Sequence, residues 1–159
     1  MLKAISLAAT IAATLLPGAA LAAAGAPGHS HATFSAGEPG NPKKQARVVL
    51  VTMREGDGTM MFVPARLEIK RGEQVRFVLQ NNGELDHEFV LATAKENVKH
   101  AEEMKKNPDM EHDDPNAKRL KPKTKDELVW RFTKRGTFEY GCLIPGHREA
   151  GMTGVIVVK

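Results

Sequence analysis

The chain has 159 residues, one cysteine and a formal net charge of +4. That length points to a single domain with its own core, and a lone cysteine excludes an internal disulfide. Its 23 basic and 19 acidic residues are interspersed after residue 43, with no basic stripe carrying aromatics, so no nucleic-acid partner is expected.

Residues 1–22 read as a secretory signal peptide. Lys3 supplies the positive start, Ala4 to Leu16 an apolar run, and Ala20-Leu21-Ala22 a small-x-small cleavage pattern. The run is shorter than the roughly 20 apolar residues of a membrane span. The mature chain is therefore expected in the periplasm, beginning near Ala23, without a membrane span and as a monomer. Residues 23–46 are rich in Ala, Gly, Pro and Ser and are expected to form a flexible tail. That tail contains His29 and His31.

Strand patterns begin at Arg47. Val48 to Val51 form an apolar run, Glu55-Gly56-Asp57-Gly58 is a turn signal, and Met60 to Val63 resume. Leu67 and Ile69 alternate with polar neighbours, as do Val75, Phe77 and Leu79. Asn81-Asn82-Gly83 turns the chain, and His87 opens another short strand. Residues 93–126 break the rhythm. Thr93 and Glu96 fit a capping box for a helix running to about Lys106, which Asn107-Pro108 stops. The remainder of this segment is charged and proline-broken and reads as a surface insertion. Strands return with Leu128, Trp130 and Phe132, then Phe138 and Tyr140, and finally Gly154 to Val158. Short strands between turn signals predict an all-β sandwich over residues 47–159, with a partly helical insertion.

The chemistry concentrates near the end of the chain. Cys142, His147 and Met152 follow a C-x4-H-x4-M spacing in a loop between two predicted strands. An unpaired thiol in an exported protein requires burial, a partner or a metal. Thiolate, imidazole and thioether on one loop can converge on one ion. His87, at the start of its strand, is the candidate for the second imidazole. Two imidazoles and a thiolate with a weak axial thioether make a blue-copper electron-transfer site. A buried inert thiol is the ordinary reading of Cys142 taken alone. A Cys–His nucleophile lacks the expected helix N-terminus or separately held base. Structural zinc wants four strong ligands, and a thioether is a poor one. No enzyme activity is expected, because this ligand set leaves no open metal position.

At these residues the chain resembles the cupredoxin family, the type 1 blue-copper proteins of plastocyanin and rusticyanin type. Within it, the chain is most similar to periplasmic cupredoxins linked to copper tolerance. The resemblance spans roughly residues 47–159 apart from 93–126. It rests on Phe62 to Glu73, on Asp86-His87-Glu88-Phe89, and on Tyr140 to Met152. It implies a Greek-key β-sandwich and one type 1 copper on His87, Cys142, His147 and Met152. Glu88 departs from the Asn, Ser or Thr often found after the first histidine.

Two functions follow as expectations. One is a one-electron carrier in which His147 is the electron port and Leu143-Ile144-Pro145-Gly146 form an apolar patch for redox partners. The other is a copper-tolerance protein that sequesters or oxidises periplasmic copper. His29, His31, His100, Met104, Met110 and His112 are candidate weak ligands for additional copper. Histidine and methionine suit that metal, while solvated surface or core methionine is their ordinary reading. Met53, Met60 and Met61, near a predicted hairpin, are soft copper ligands too, with core methionine as their ordinary reading.

Overall fold

The structure is a computed structural model that describes residues 34–107 and 114–159. The expected signal peptide, His29, His31, Met110 and His112 lie outside the described residues. Among those described, no helix is long and apolar enough to cross a membrane.

Two five-stranded sheets face each other. The first has the order β1-β8-β5-β2-β3. It comprises β1 (Glu38–Pro39), β2 (Arg47–Gly56), β3 (Thr59–Val63), β5 (Gln74–Asn81) and β8 (Lys125–Arg131). The second has the order β4-β10-β9-β6-β7. It comprises β4 (Arg66–Ile69), β6 (His87–Ala92), β7 (Ala117–Leu120), β9 (Gly136–Gly141) and β10 (Thr153–Val158). The chain crosses between the sheets repeatedly, pairing β2 with β5 and β4 with β10 in parallel. This is the Greek-key β-sandwich that the resemblance implied.

The alternation seen in the sequence builds the core. Val75, Phe77 and Leu79 of β5 are fully buried, because a strand sends every second side chain to the same face. They meet inward residues of the opposite sheet. The Phe77 and Phe89 rings lie 5.2 Å apart, and Phe89 stacks on Tyr140 at 5.2 Å. Met53 is also buried in this core.

β6 does not alternate: all six of its residues are buried. Its second face is covered by α1 (Ala94–Lys106), the helix predicted from the capping box. Thr93 Oγ1 accepts the Glu96 N–H, and the Glu96 carboxylate accepts the Thr93 N–H. Val90 of β6 packs there with Ala101 and Met104 of α1 and with Leu143.

Two expectations are corrected. From Phe34 onward, the residues expected in a flexible tail belong to the sandwich. Glu38 pairs with Arg131, Ala36 is fully buried, and the Phe34 ring stands edge-on to Trp130 at 5.2 Å. Two ladder residues and two apolar anchors suffice to dock a segment whose composition reads as linker. The 93–126 segment likewise contains an edge strand, β7, which pairs with β6 from His87↔Leu120 to Val90↔Ala117. Its sequence, Ala117-Lys118-Arg119-Leu120, is polar because an edge strand faces solvent on one side.

Candidate metal centre

Three donors from two distant segments meet at one end of the sandwich. His87 Nδ1 lies 3.2 Å from His147 Nδ1, and Cys142 Sγ lies 3.3 Å from His147 Nδ1. Among the described residues, His87, Cys142 and His147 are the group of His, Cys and acidic side chains whose donor atoms all fall within 4.8 Å of one another. His87 and Cys142 are fully buried, and His147 is 8 % exposed.

The loop between β9 and β10 shapes itself for this. The Cys142 N–H donates to the Met152 carbonyl at 3.1 Å, and the Met152 N–H to the His147 carbonyl at 3.1 Å. The loop ends are thereby closed on each other. Gly146 and Gly151 have φ of 88° and 98°, a conformation that favours glycine, and each directly precedes a candidate ligand. Met152 is fully buried. Arg148, beside His147, makes a two-pronged ion pair with Glu139 of β9, which also accepts the Asn97 amide of α1 at 3.0 Å. Lys105 Nζ sits 2.8 Å from Glu149 Oε1. The insertion helix therefore grips the loop that carries Cys142 and His147.

Burial sets the protonation of the donors. It pushes the Cys142 thiol up to about 12, against the lowering effect of the Glu88 and Ile144 N–H groups. Burial also pulls His147 below its ordinary value, with the neighbouring His87 adding to the effect. A neutral imidazole is the ligating form.

Glu55, at the end of β2, carries a contact that its sequence position in a turn did not signal. Its Oε1 lies 2.8 Å from His87 Nε2. Burial raises its pKa, but the N–H groups of Glu84 and Leu85 lead the interactions that outweigh this, so the carboxyl sits below its ordinary value.

The structure separates the remaining candidates. Met104 is 1 % exposed in the apolar cluster under α1; it is a core residue, not an accessible extra ligand. His100 lines a cavity of about 330 Å³ beside α1 and is not one of the three clustered donors. Leu143 is 1 % exposed and so is not part of the surface patch expected around His147. Ile144 is half-buried, and Pro145 and Gly146 are exposed.

A thiolate and two imidazoles suit copper, and the family model for "Copper binding proteins, plastocyanin/azurin family" matches residues 48–159. The chain belongs to that family. Its cofactor is copper. Among curated proteins, a copper-resistant cuproprotein CopI from Rubrivivax gelatinosus is 49% identical over 132 residues, 82% of this chain and 78% of the relative. A protein of the same name from Pseudomonas aeruginosa is 34% identical over 152 residues, 77% of this chain and 82% of the relative. Among solved structures, auracyanin B aligns with a TM-score of 0.59 at 26% identity, covering 77% of this chain and 96% of that one. This cupredoxin likeness agrees with the two-sheet architecture.

Proposed function

We propose that this chain is a periplasmic type 1 copper protein that protects the cell against copper. It holds one ion through His87, Cys142 and His147, with Met152 as a weaker fourth ligand. The observation that carries this reading is the buried convergence of those three donors. The copper-resistance names of relatives up to 49% identical support its physiological side, and residues 1–22 support export.

Bound copper supplies a one-electron Cu(I)/Cu(II) couple. The protein's own groups do the rest. Cys142 gives up its proton to become a thiolate, and the Glu88 N–H steadies the sulfur from 3.3 Å. The buried surroundings keep water from the donors. Additional weak binding at His29, His31, His100, Met110 and His112 belongs to the same reading.

A second reading, a one-electron carrier, draws on one observation. His147 is the single member of the cluster with an exposed edge, and Pro145 and Gly146 beside it are exposed. A small patch of this kind suits brief encounters with redox partners. In neither reading does the protein turn over a substrate.

Two experiments decide. The purified Cu(II) form is expected to show an intense visible thiolate-to-copper band that Cys142→Ser removes; weak, ordinary Cu(II) absorption would overturn the type 1 assignment. Deleting the gene is expected to sensitise growth to copper more than it slows respiration. A purely respiratory defect would favour the carrier.

A further inference from the structure

We propose that Glu55 is a positioning residue for the copper site, holding the His87 ring from behind and biasing the bound metal toward Cu(II). The proposal concerns copper binding by the purified protein and does not depend on which physiological role holds.

The contact joins the two sheets. Glu55 is the penultimate residue of β2, where it pairs with Met60, and His87 begins β6 in the opposite sheet. His87 is fully buried, whereas the Glu55 side chain keeps 24% exposure. A carboxylate only accepts hydrogen bonds, so the proton of the neutral His87 ring resides on Nε2, where Glu55 Oε1 receives it at 2.8 Å. That leaves the Nδ1 lone pair free, and Nδ1 is the atom facing His147 across 3.2 Å. Glu55 therefore selects the tautomer that a metal requires.

Glu55 is itself fixed. The Glu84 N–H donates to its Oε2 at 3.0 Å and the Leu85 N–H to its Oε1 at 3.0 Å. The turn that carries those two amides is held by Asn81, which is fully buried. Its Oδ1 accepts the Gly83 N–H at 2.9 Å, and its Nδ2 donates to the Leu85 carbonyl at 2.8 Å and the Leu120 carbonyl at 3.1 Å. Gly83 completes the cradle by its lack of a side chain. A Cβ there would lie 2.3 to 2.6 Å from the Glu55 carboxylate atoms, closer than atoms can pack.

A loose surface ion pair needs none of this. Three donors on one carboxylate, a buried amide bracing the turn that carries two of them and a glycine leaving room for it form a built support. A carboxylate behind a ligating histidine fixes the ring and raises its basicity, and losing such a partner costs 10- to 100-fold in metal affinity. The negative charge favours the more highly charged oxidation state, so Cu(II) affinity must suffer more than Cu(I) affinity when it is removed.

Two variants test this in the copper-loaded protein. Glu55→Gln keeps the shape and removes the charge. Gly83→Ala keeps the charge and displaces the carboxylate from the ring. Copper affinities by competition, the reduction potential and the Cu(II) spectrum are measured for both, alongside thermal unfolding of the copper-free forms. Each variant is expected to lose about tenfold or more in Cu(II) affinity, and less in Cu(I) affinity. The potential then rises, by 59 mV for each tenfold change in the ratio of the two affinities. If Glu55→Gln leaves both affinities within twofold and the potential unmoved, the proposal is overturned. Lower thermal stability with an unmoved potential overturns it equally, by reducing Glu55 to a structural brace. Should one variant fail to fold, the other carries the same readout.

Discussion

The main-chain N–H of Glu88 points at Cys142 Sγ from 3.3 Å. The residue after the first histidine was the clearest departure from the family pattern in the sequence. Its side chain turns out not to be the group that meets the sulfur. The Glu88 carboxylate points instead toward Arg119, 3.9 Å away.

Glu88→Ala is therefore expected to leave the visible copper band unchanged in position and intensity, because the N–H survives the substitution. Removing the buried Glu88 carboxylate, 3.9 Å from Arg119, is expected to lower stability while leaving that band in place. Absorption of the Cu(II) form and a denaturant titration check both. A bleached or shifted band would show that the carboxylate itself acts on the site.

Met104 gives a second test, of the insertion as a support for the metal loop. It is buried against Leu143, which adjoins Cys142. Met104→Ala removes most of a buried side chain and is expected to cost about 2–5 kcal/mol, read from unfolding of the copper-free protein. Copper is also expected to leave faster when a chelator is added, because the loop loses its inner packing. An unchanged release rate with lowered stability would confine α1 to a stabilising role.

The sequence carried the sandwich because its signals are local. Period-two runs such as Val75-Phe77-Leu79 need only a covered face, and the capping box at Thr93 needs only its own first turn. The gathering of Cys142 and His147 was legible for the same reason, being set by one short loop. Other contacts between distant segments were not legible; His87 was placed with Cys142 and His147 only through its strand-opening position and the family resemblance. Glu55 and His87 are separated by 32 positions and lie in different sheets, so nothing in either neighbourhood marks the pair. Phe34 and Ala36 dock a segment whose composition reads as linker, and Leu143 looks like a surface residue until α1 is placed over it.

Met152 is fully buried and main-chain bonded within the loop, and its thioether is the proposed weak fourth ligand. Met152→Leu nearly conserves volume, so a stability cost below about 1.5 kcal/mol is expected. Copper is retained while the reduction potential rises, since losing a weak donor disfavours Cu(II). Voltammetry of the purified variant checks this. An unchanged potential and spectrum would mean that another atom occupies the fourth place.

Copper loading must also move a proton, and its source follows from burial. In the copper-free protein the Cys142 thiol is pushed up to about 12, far above the ordinary value of about 8.5. Near pH 7 it is neutral, and the ligating form is the thiolate. Loading is therefore expected to release about one proton from Cys142, so apparent affinity strengthens about tenfold for each unit rise in pH across the neutral range. His147 adds none there, since burial holds its pKa below the ordinary value. The same shift acts on the fold with a definite sign. A raised native pKa gives stability that is full below the unfolded value and fades as pH rises toward the native one. The copper-free protein is thus expected to lose stability between about pH 8.5 and 12, and Cys142→Ser to remove that component. Calorimetric titration with copper in buffers of different ionisation heat counts the protons. Release of none would mean that the thiolate is already present before the metal arrives.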